Sequence, residues 1–296
     1  MDRRAFMVAG GAMFAAAPLI AATRKIGVSP PEPLEATIAR IEAESGGRLG
    51  IAVHDTGSGF RFAHRGGERF PMCSTFKLLV AGAVLFRVDR ARERLDRQIA
   101  VHNGDPVGHA PFTAKRVGRQ ASVAELCRAM TVESDNGAAN MMLTSLGGPA
   151  SFTRFLRSIG DSATRLDRTE PELNTSVPGD PRDTTTPDAM LGATEKLLLG
   201  AVLHDASRAQ LTQWMIECQT GLRRLRAGLP HGWRAGDKTG TSDAAAGTYN
   251  DVAIFWPPGR KPVLVTSYLT QAKVRDEAAN AVHAAVARAV VAALAS

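Results

Sequence analysis

Ser74 and Lys77 lie three positions apart, just where a long apolar run over 78–86 begins. Positions i and i+3 share a helix face, so this spacing predicts that Ser74 Oγ and Lys77 Nζ touch. A serine hydroxyl is a poor nucleophile without a base in hydrogen-bond reach, and an amine one turn on supplies it. At a helix N-terminus, free backbone N–H groups and the helix dipole favour the negative charge that a serine attack develops. The S-x-x-K spacing alone is weak, because a capping serine beside a solvated lysine has the same pattern.

Further stretches strengthen it. Ser134-Asp135-Asn136 sits between helical runs. Arg168-Thr169-Glu170-Pro171-Glu172-Leu173-Asn174 opens a loop rich in Pro and Asp that runs to about Asp183. Gly236-Asp237 precedes Lys238-Thr239-Gly240-Thr241-Ser242, and Arg224 stands in Leu222-Arg223-Arg224-Leu225-Arg226.

These residues need elements to hold them. Apolar spacing predicts a helix over 34–43, stopped at Gly46-Gly47. Strands are expected over 48–54 and 60–63, joined by the Asp55-Thr56-Gly57-Ser58-Gly59 turn. From Ser74 to about Leu211 the pattern is helical, with Gly and Pro breaks. Strand patterns return over 251–256 and 262–269, and 276–295 reads as an Ala/Val-rich helix, apolar on most sides and therefore packed. Elements from both ends thus make an α/β part around a long helical middle, and clefts between such parts are common ligand sites.

The 296 residues suffice for one large domain or two modest ones. Net charge is +7, but basic residues are scattered among acids, with no like-charge run and no basic patch interleaved with aromatics. Nucleic acid is therefore not expected as a partner. Residues 1–22 read as a cleaved export signal: Arg3-Arg4 ahead of an apolar stretch ending in small residues, interrupted by Gly10, Gly11 and Pro18. That implies folded export by the twin-arginine route to a bacterial periplasm, with no stable membrane association afterwards. Residues 23–32 read as a Pro-containing lead-in. The odd set Cys73, Cys127 and Cys218 is expected to remain unbridged.

In order, S-x-x-K, S-D-N and K-T-G, with E-x-x-x-N between the last two, resemble the motif set of class A serine β-lactamases. The resemblance covers nearly everything after the signal. It implies a two-domain α/β fold of the β-lactamase/transpeptidase type, with an antiparallel sheet flanked by helices from both termini. The α/β domain would comprise 30–69 and 215–296; the inserted all-α domain, 70–214, would carry an Ω-type loop over 168–183. It also implies that Ser74 opens a β-lactam to an acyl-enzyme, with the backbone N–H groups of Ser74 and Thr241 holding the oxyanion. Ser134 would pass a proton to the lactam nitrogen, helped by Lys77 and Lys238. Lys238, Thr239, Gly240, Thr241 and Arg224 would form the site for the substrate carboxylate, and Asn136 would hold the acylamino side chain. Glu170 would activate the deacylating water, held also by Asn174, and both Lys77 and Glu170 are candidates for the acylation base. A cis Glu170–Pro171 bond and an Arg168–Asp183 ion pair belong to the same resemblance.

Departures from the family pattern are also visible. His109 stands where many relatives have an aromatic residue at the cleft rim. Thr248-Tyr249-Asn250 lacks a common arginine, whose role falls to Arg224, leaving Arg223 and Arg226 as structural. Ser242 precludes the bridge that some relatives make with a cysteine like Cys73. The competing readings are a D,D-peptidase, which would lack the Glu170/Asn174 pair, and a β-lactam sensor, which would keep a membrane anchor. No zinc, P-loop or G-x-S-x-G motif is present, so neither metal nor cofactor is implied. A monomer is expected, since no exposed heptad stripe is visible.

Overall fold

Two ends of the chain meet in one sheet. A computed structural model describes residues 32–242 and 245–295; the export-signal reading of 1–22 and most of the lead-in lie outside them. Helix α1 (Leu34–Ser45) ends at Gly46, whose φ of 63° turns the chain into strand β1 (Arg48–Asp55). Strand β2 (Arg61–His64) pairs antiparallel with β1. After β3 (Phe70–Pro71) the chain enters helix α2 (Phe76–Val88), then β4 (Gln98–Ala100), β5 (Gln120–Ser122), α3 (Val123–Arg128), α4 (Asn136–Leu146) and α5 (Gly148–Ser158). The two-residue β6 (Thr184–Thr185) pairs with β3 and is followed by α6 (Pro187–Leu198) and α7 (Asp205–Ile216). The chain closes with β7 (Arg234–Thr241), β8 (Tyr249–Trp256), β9 (Val263–Thr270) and α8 (Asp276–Ala295).

The sheet order is β2-β1-β9-β8-β7, antiparallel throughout, so the first strand, β1, pairs directly with the last, β9. Alternate side chains leave opposite faces of a strand, and the sheet separates two cores. On one face, Ile38 and Ile41 of α1 meet Leu49, Ile51 and Val53 of β1 and Val282, Val286 and Val290 of α8. On the other, Ile254, Leu264 and Tyr268 meet the helical middle, built around α2 and α4. Helix α8 is long and apolar enough to cross a membrane by composition, but its Ala279, Val282, Val286 and Val290 are buried in the first of these cores.

Two expectations are corrected, and one strand is added. The strand carrying Lys238 has no apolar alternation, reading RAGDKTGT, yet it forms β7 at the sheet edge. The helical middle contains two short ladders, β3 with β6 and β4 with β5. The second strand starts at Arg61 rather than Phe60, which is exposed in the turn.

Candidate active site

The nucleophile candidate sits on a rigid corner. Cys73–Thr75 forms a single 3-10 turn that runs into α2, with Cys73 at a positive φ of 44°. Thr75 Oγ1 donates to Met72 O at 2.8 Å and meets the Tyr268 hydroxyl at 3.1 Å, tying the turn to the sheet. Every α2 residue from Phe76 to Leu85 is buried, so the helix is gripped on all sides. Ser74 is left half-buried in a cleft of about 550 Å³ that it shares with Ser134, Asn136, Asn174, Arg224 and the 239–242 stretch.

Lys77 lies on the expected helix but does not reach Ser74. Its fully buried ammonium has three N–H donors, and three acceptors surround it: Asn136 Oδ1 at 2.6 Å, Ser134 O at 2.8 Å and Glu170 Oε1 at 2.9 Å. Ser74 Oγ instead faces that same Glu170 Oε1 at 3.4 Å. The i,i+3 spacing fixes the shared face, whereas the ammonium follows the better acceptors. Burial pulls the Lys77 pKa below the ordinary lysine value, opposed by the Glu170 carboxylate.

Ser134 bridges two lysines. A wide helical turn over Ala129–Glu133 ends at Ser134 in the left-handed conformation, φ 62°. Asp135 then caps α4 by accepting from Ala138 N at 2.8 Å and also binds Thr113 Oγ1 at 2.8 Å. The backbone carbonyl of Ser134 thereby faces Lys77, while its hydroxyl accepts from Lys238 Nζ at 3.0 Å.

The 168–183 loop is closed by charge. Arg168 Nε lies 2.6 Å from Asp183 Oδ2, and Asp183 Oδ1 accepts the backbone N–H groups of Asp167 and Arg168. The Glu170–Pro171 bond is cis. Asn140 clamps Glu170 reciprocally, its Oδ1 accepting Glu170 N and its Nδ2 donating to Glu170 O, both at 2.9 Å. Asn174 Nδ2 donates to Glu170 Oε2 at 2.5 Å, and its buried Oδ1 has no hydrogen-bond partner. The Glu170 carboxylate thus has one oxygen on Lys77 and Ser74 and the other on Asn174.

The opposite wall is β7. A Cβ on Gly240 would sit 2.6 Å from Met72 O, so only glycine lets the strand pass this close to the nucleophile turn. Lys238 is fully buried, donating to Ser134 Oγ and to Thr239 O; burial lowers its pKa to about 8, and the Lys77 charge acts in the same direction. Arg224 spans the strand ends, donating to Asn250 O at 2.6 Å, Gly240 O at 2.8 Å and Thr241 Oγ1 at 2.7 Å. Among the described residues, no carboxylate forms an ion pair with Lys238 or Arg224, whereas Arg226 is paired with Asp237 at 2.5 Å.

Residues 33–294 match the Beta-lactamase enzyme family. The chain belongs to the class A β-lactamases. β-Lactamase L2 of Stenotrophomonas maltophilia is 44% identical over 97% of this chain and 97% of its own length. β-Lactamase CTX-M-8 of Citrobacter amalonaticus is 44% identical over 85% and 86%. The solved structure of an ancestral class A β-lactamase (GNCA) superposes with a TM-score of 0.86 at 58% identity, covering 88% of this chain and 100% of its own. A β-lactamase from Xanthomonas campestris gives 0.84 at 53%, covering 87% and 96%.

Asn140, Thr220 and Asp251 are features of this class A chain that were not visible in its sequence. Asn140 falls one turn beyond Asn136, and nothing in its neighbours announces a clamp on Glu170. Thr220 meets Thr239 Oγ1 at 2.6 Å across the cleft wall. On β8, directly opposite Thr239 of β7, burial raises the Asp251 carboxyl well above the carboxylate range. His109 lines the cleft and meets Glu133 O at 2.9 Å through Nε2. Arg223 reaches only Glu277, at the surface. No disulfide joins Cys73, Cys127 or Cys218, which are all buried.

Proposed function

We propose that the chain hydrolyses the amide bond of penicillins and cephalosporins through a Ser74 acyl-enzyme, giving antibiotic resistance. Family membership supports the reaction class, since a serine acyl-enzyme is general for class A β-lactamases. The observation that carries the assignment of roles is the sharing of Glu170 Oε1 by Ser74 Oγ and Lys77 Nζ, with Asn174 on Oε2.

Ser74 Oγ attacks the lactam carbonyl, and its proton passes to the Lys77–Glu170 pair. The C–N bond breaks, and Ser134, poised between Lys77 and Lys238, gives its proton to the lactam nitrogen. The backbone N–H groups of Ser74 and Thr241 hold the oxyanion; one such donor is worth about 10²–10³ in rate. Water then attacks the ester, Glu170 takes its proton, and Ser74 leaves reprotonated. Lys238, Thr239, Thr241 and Arg224 receive the substrate carboxylate along β7, with Gly240 allowing the close approach. Asn136, lining the cleft, holds the acylamino group.

The two-part organisation fits this site: 30–69 and 215–296 supply the β7 wall, and 70–214 supplies Ser74, Ser134 and Glu170. The chain acts as a monomer in the periplasm, reached by twin-arginine export directed by 1–22. Intact-mass spectrometry of the Glu170→Ala variant, in which deacylation is blocked, after mixing with benzylpenicillin tests the central step. A one-to-one penicilloyl adduct that maps to Ser74 and is absent when Ser74→Ala is added supports it; no adduct, or one elsewhere, refutes it.

A further inference from the structure

Away from the catalytic cleft, a cavity of about 340 Å³ opens between the C-terminal half of α2, the end of α4 and α5. Its floor is apolar, formed by Phe86, Leu146, Phe152 and Phe155, with Phe86 and Phe155 in edge-to-face contact at 5.1 Å. Its rim carries Arg87, Arg90, Arg92 and Arg154, and no acidic residue lines it. Arginines elsewhere on the surface are neutralised locally: Arg94 by Asp96, Arg116 by Glu125, Arg165 by Asp167 and Arg182 by Asp180. Among the described residues, none of the four rim arginines forms an ion pair.

The nearest acids face other partners. Glu93, beside Arg92, is held by Arg97 at 2.6 Å and by Ser145, while Asp89 accepts from His204 N and Ser207 Oγ. Three of the guanidinium groups are pre-positioned. Arg90 lies over Phe86, 3.4 Å from the ring centroid, Arg87 donates to Ser145 O at 2.6 Å, and Arg154 donates to Ser151 Oγ at 2.7 Å. Each guanidinium carries five donors, so most remain available to an anion. The sequence reading found no basic patch interleaved with aromatics, because Arg154 and Phe155 are far along the chain from Arg87 and Arg90; folding of α5 onto α2 creates one.

We propose that this cavity binds a single-headed amphiphilic anion: a free medium-chain carboxylate, acyl chain on the phenylalanine floor and carboxylate among the rim arginines. At roughly 30 Å³ per non-hydrogen atom, the space holds about eleven such atoms, which matches a chain of about eight to ten carbons. A charge-assisted, bidentate arginine contact anchors the head, and the floor excludes water from the tail.

Amide NMR titration of the purified protein with decanoate tests this. The expected result is saturable one-to-one binding below the micellar range, with shifts confined to the end of α2, the end of α4 and α5. Decanol, the neutral counterpart, binds at least about tenfold more weakly, as does decanoate to the triple variant Arg90→Gln, Arg92→Gln, Arg154→Gln. Nitrocefin turnover by the triple variant matches the wild type and certifies its fold, since none of the three residues belongs to the cleft. Equal affinity for decanol and decanoate, shifts in the catalytic cleft, or no saturable binding overturns the proposal. So does arginine-dependent capture by phosphatidylglycerol vesicles without decanoate binding, which would make the patch a membrane-facing surface.

Discussion

The cleft holds two fully buried lysines, one in each wall, and their surroundings differ. Lys77 has a carboxylate at 2.9 Å, and each of its three donors has an acceptor from the protein. Lys238 has only a hydroxyl and a carbonyl, with the neighbouring Arg224 adding a second unneutralised cation. Burying a charge is costly unless it is paired, so a folded protein keeps a cation unpaired where something else will neutralise it. The first wall has its negative charge built in and does proton chemistry. The second leaves its positive charge open for the substrate carboxylate.

Replacement should therefore act in opposite directions on the two walls. Lys77→Met strands the Glu170 carboxylate in the interior; acylation should fall by about 10²–10⁴-fold, measured by stopped-flow nitrocefin cleavage. The same change should cost about 3–5 kcal/mol in urea unfolding, as expected when one partner of a buried pair is removed. Lys238→Met removes a cation that the fold penalises, so its midpoint should hold or rise, while kcat/KM drops by about 10–10²-fold for loss of a charged contact. That drop should shrink for a substrate esterified at its carboxylate, leaving only the part that Lys238 plays through Ser134. A midpoint loss as large as that of Lys77→Met would erase the contrast.

Acidity sharpens the comparison. Because Lys238 titrates near 8 in the fold, kcat/KM should fall as pH rises through about 8, when the cation is lost. Lys238→Arg should remove that limb, since a guanidinium keeps its charge. Stability should move the other way. The folded pKa lies below the unfolded value, so the unfolded chain binds the extra proton between about 8 and 10.5, and stability should rise across that window. The smallest effect belongs to Arg224→Gln. Its side chain already braces Thr241 and two carbonyls of the strand pair, so kcat/KM should fall by about tenfold, mostly in KM.

The sequence made much of the first wall legible, because its groups come in short motifs. Ser134-Asp135-Asn136 and 168–174 each place several polar groups within a turn, and local spacing nearly determines their geometry. Helices α1 and α8 and strands β1, β8 and β9 were readable from apolar periodicity. Strand β7 was not, since its buried positions include Asp237, Lys238 and Thr239, which only tertiary partners make tolerable. The direction of Lys77 was also hidden: helix spacing sets a face, but acceptors brought from residues 134, 136 and 170 decide where a flexible ammonium points. The arginine-rimmed cavity was invisible for the same reason, its parts being gathered from three helices.

The most direct test is nitrocefin turnover by the wild type beside Glu170→Ala. Without Glu170, Lys77 is a buried cation lacking its counter-ion; it deprotonates readily and can still accept the Ser74 proton, whereas no group remains to activate water for deacylation. The account predicts steady wild-type turnover and, in the variant, one stoichiometric burst with acylated Ser74 persisting in the mass spectrum. Sustained turnover by Glu170→Ala, or a wild type that stops after one equivalent, would contradict it.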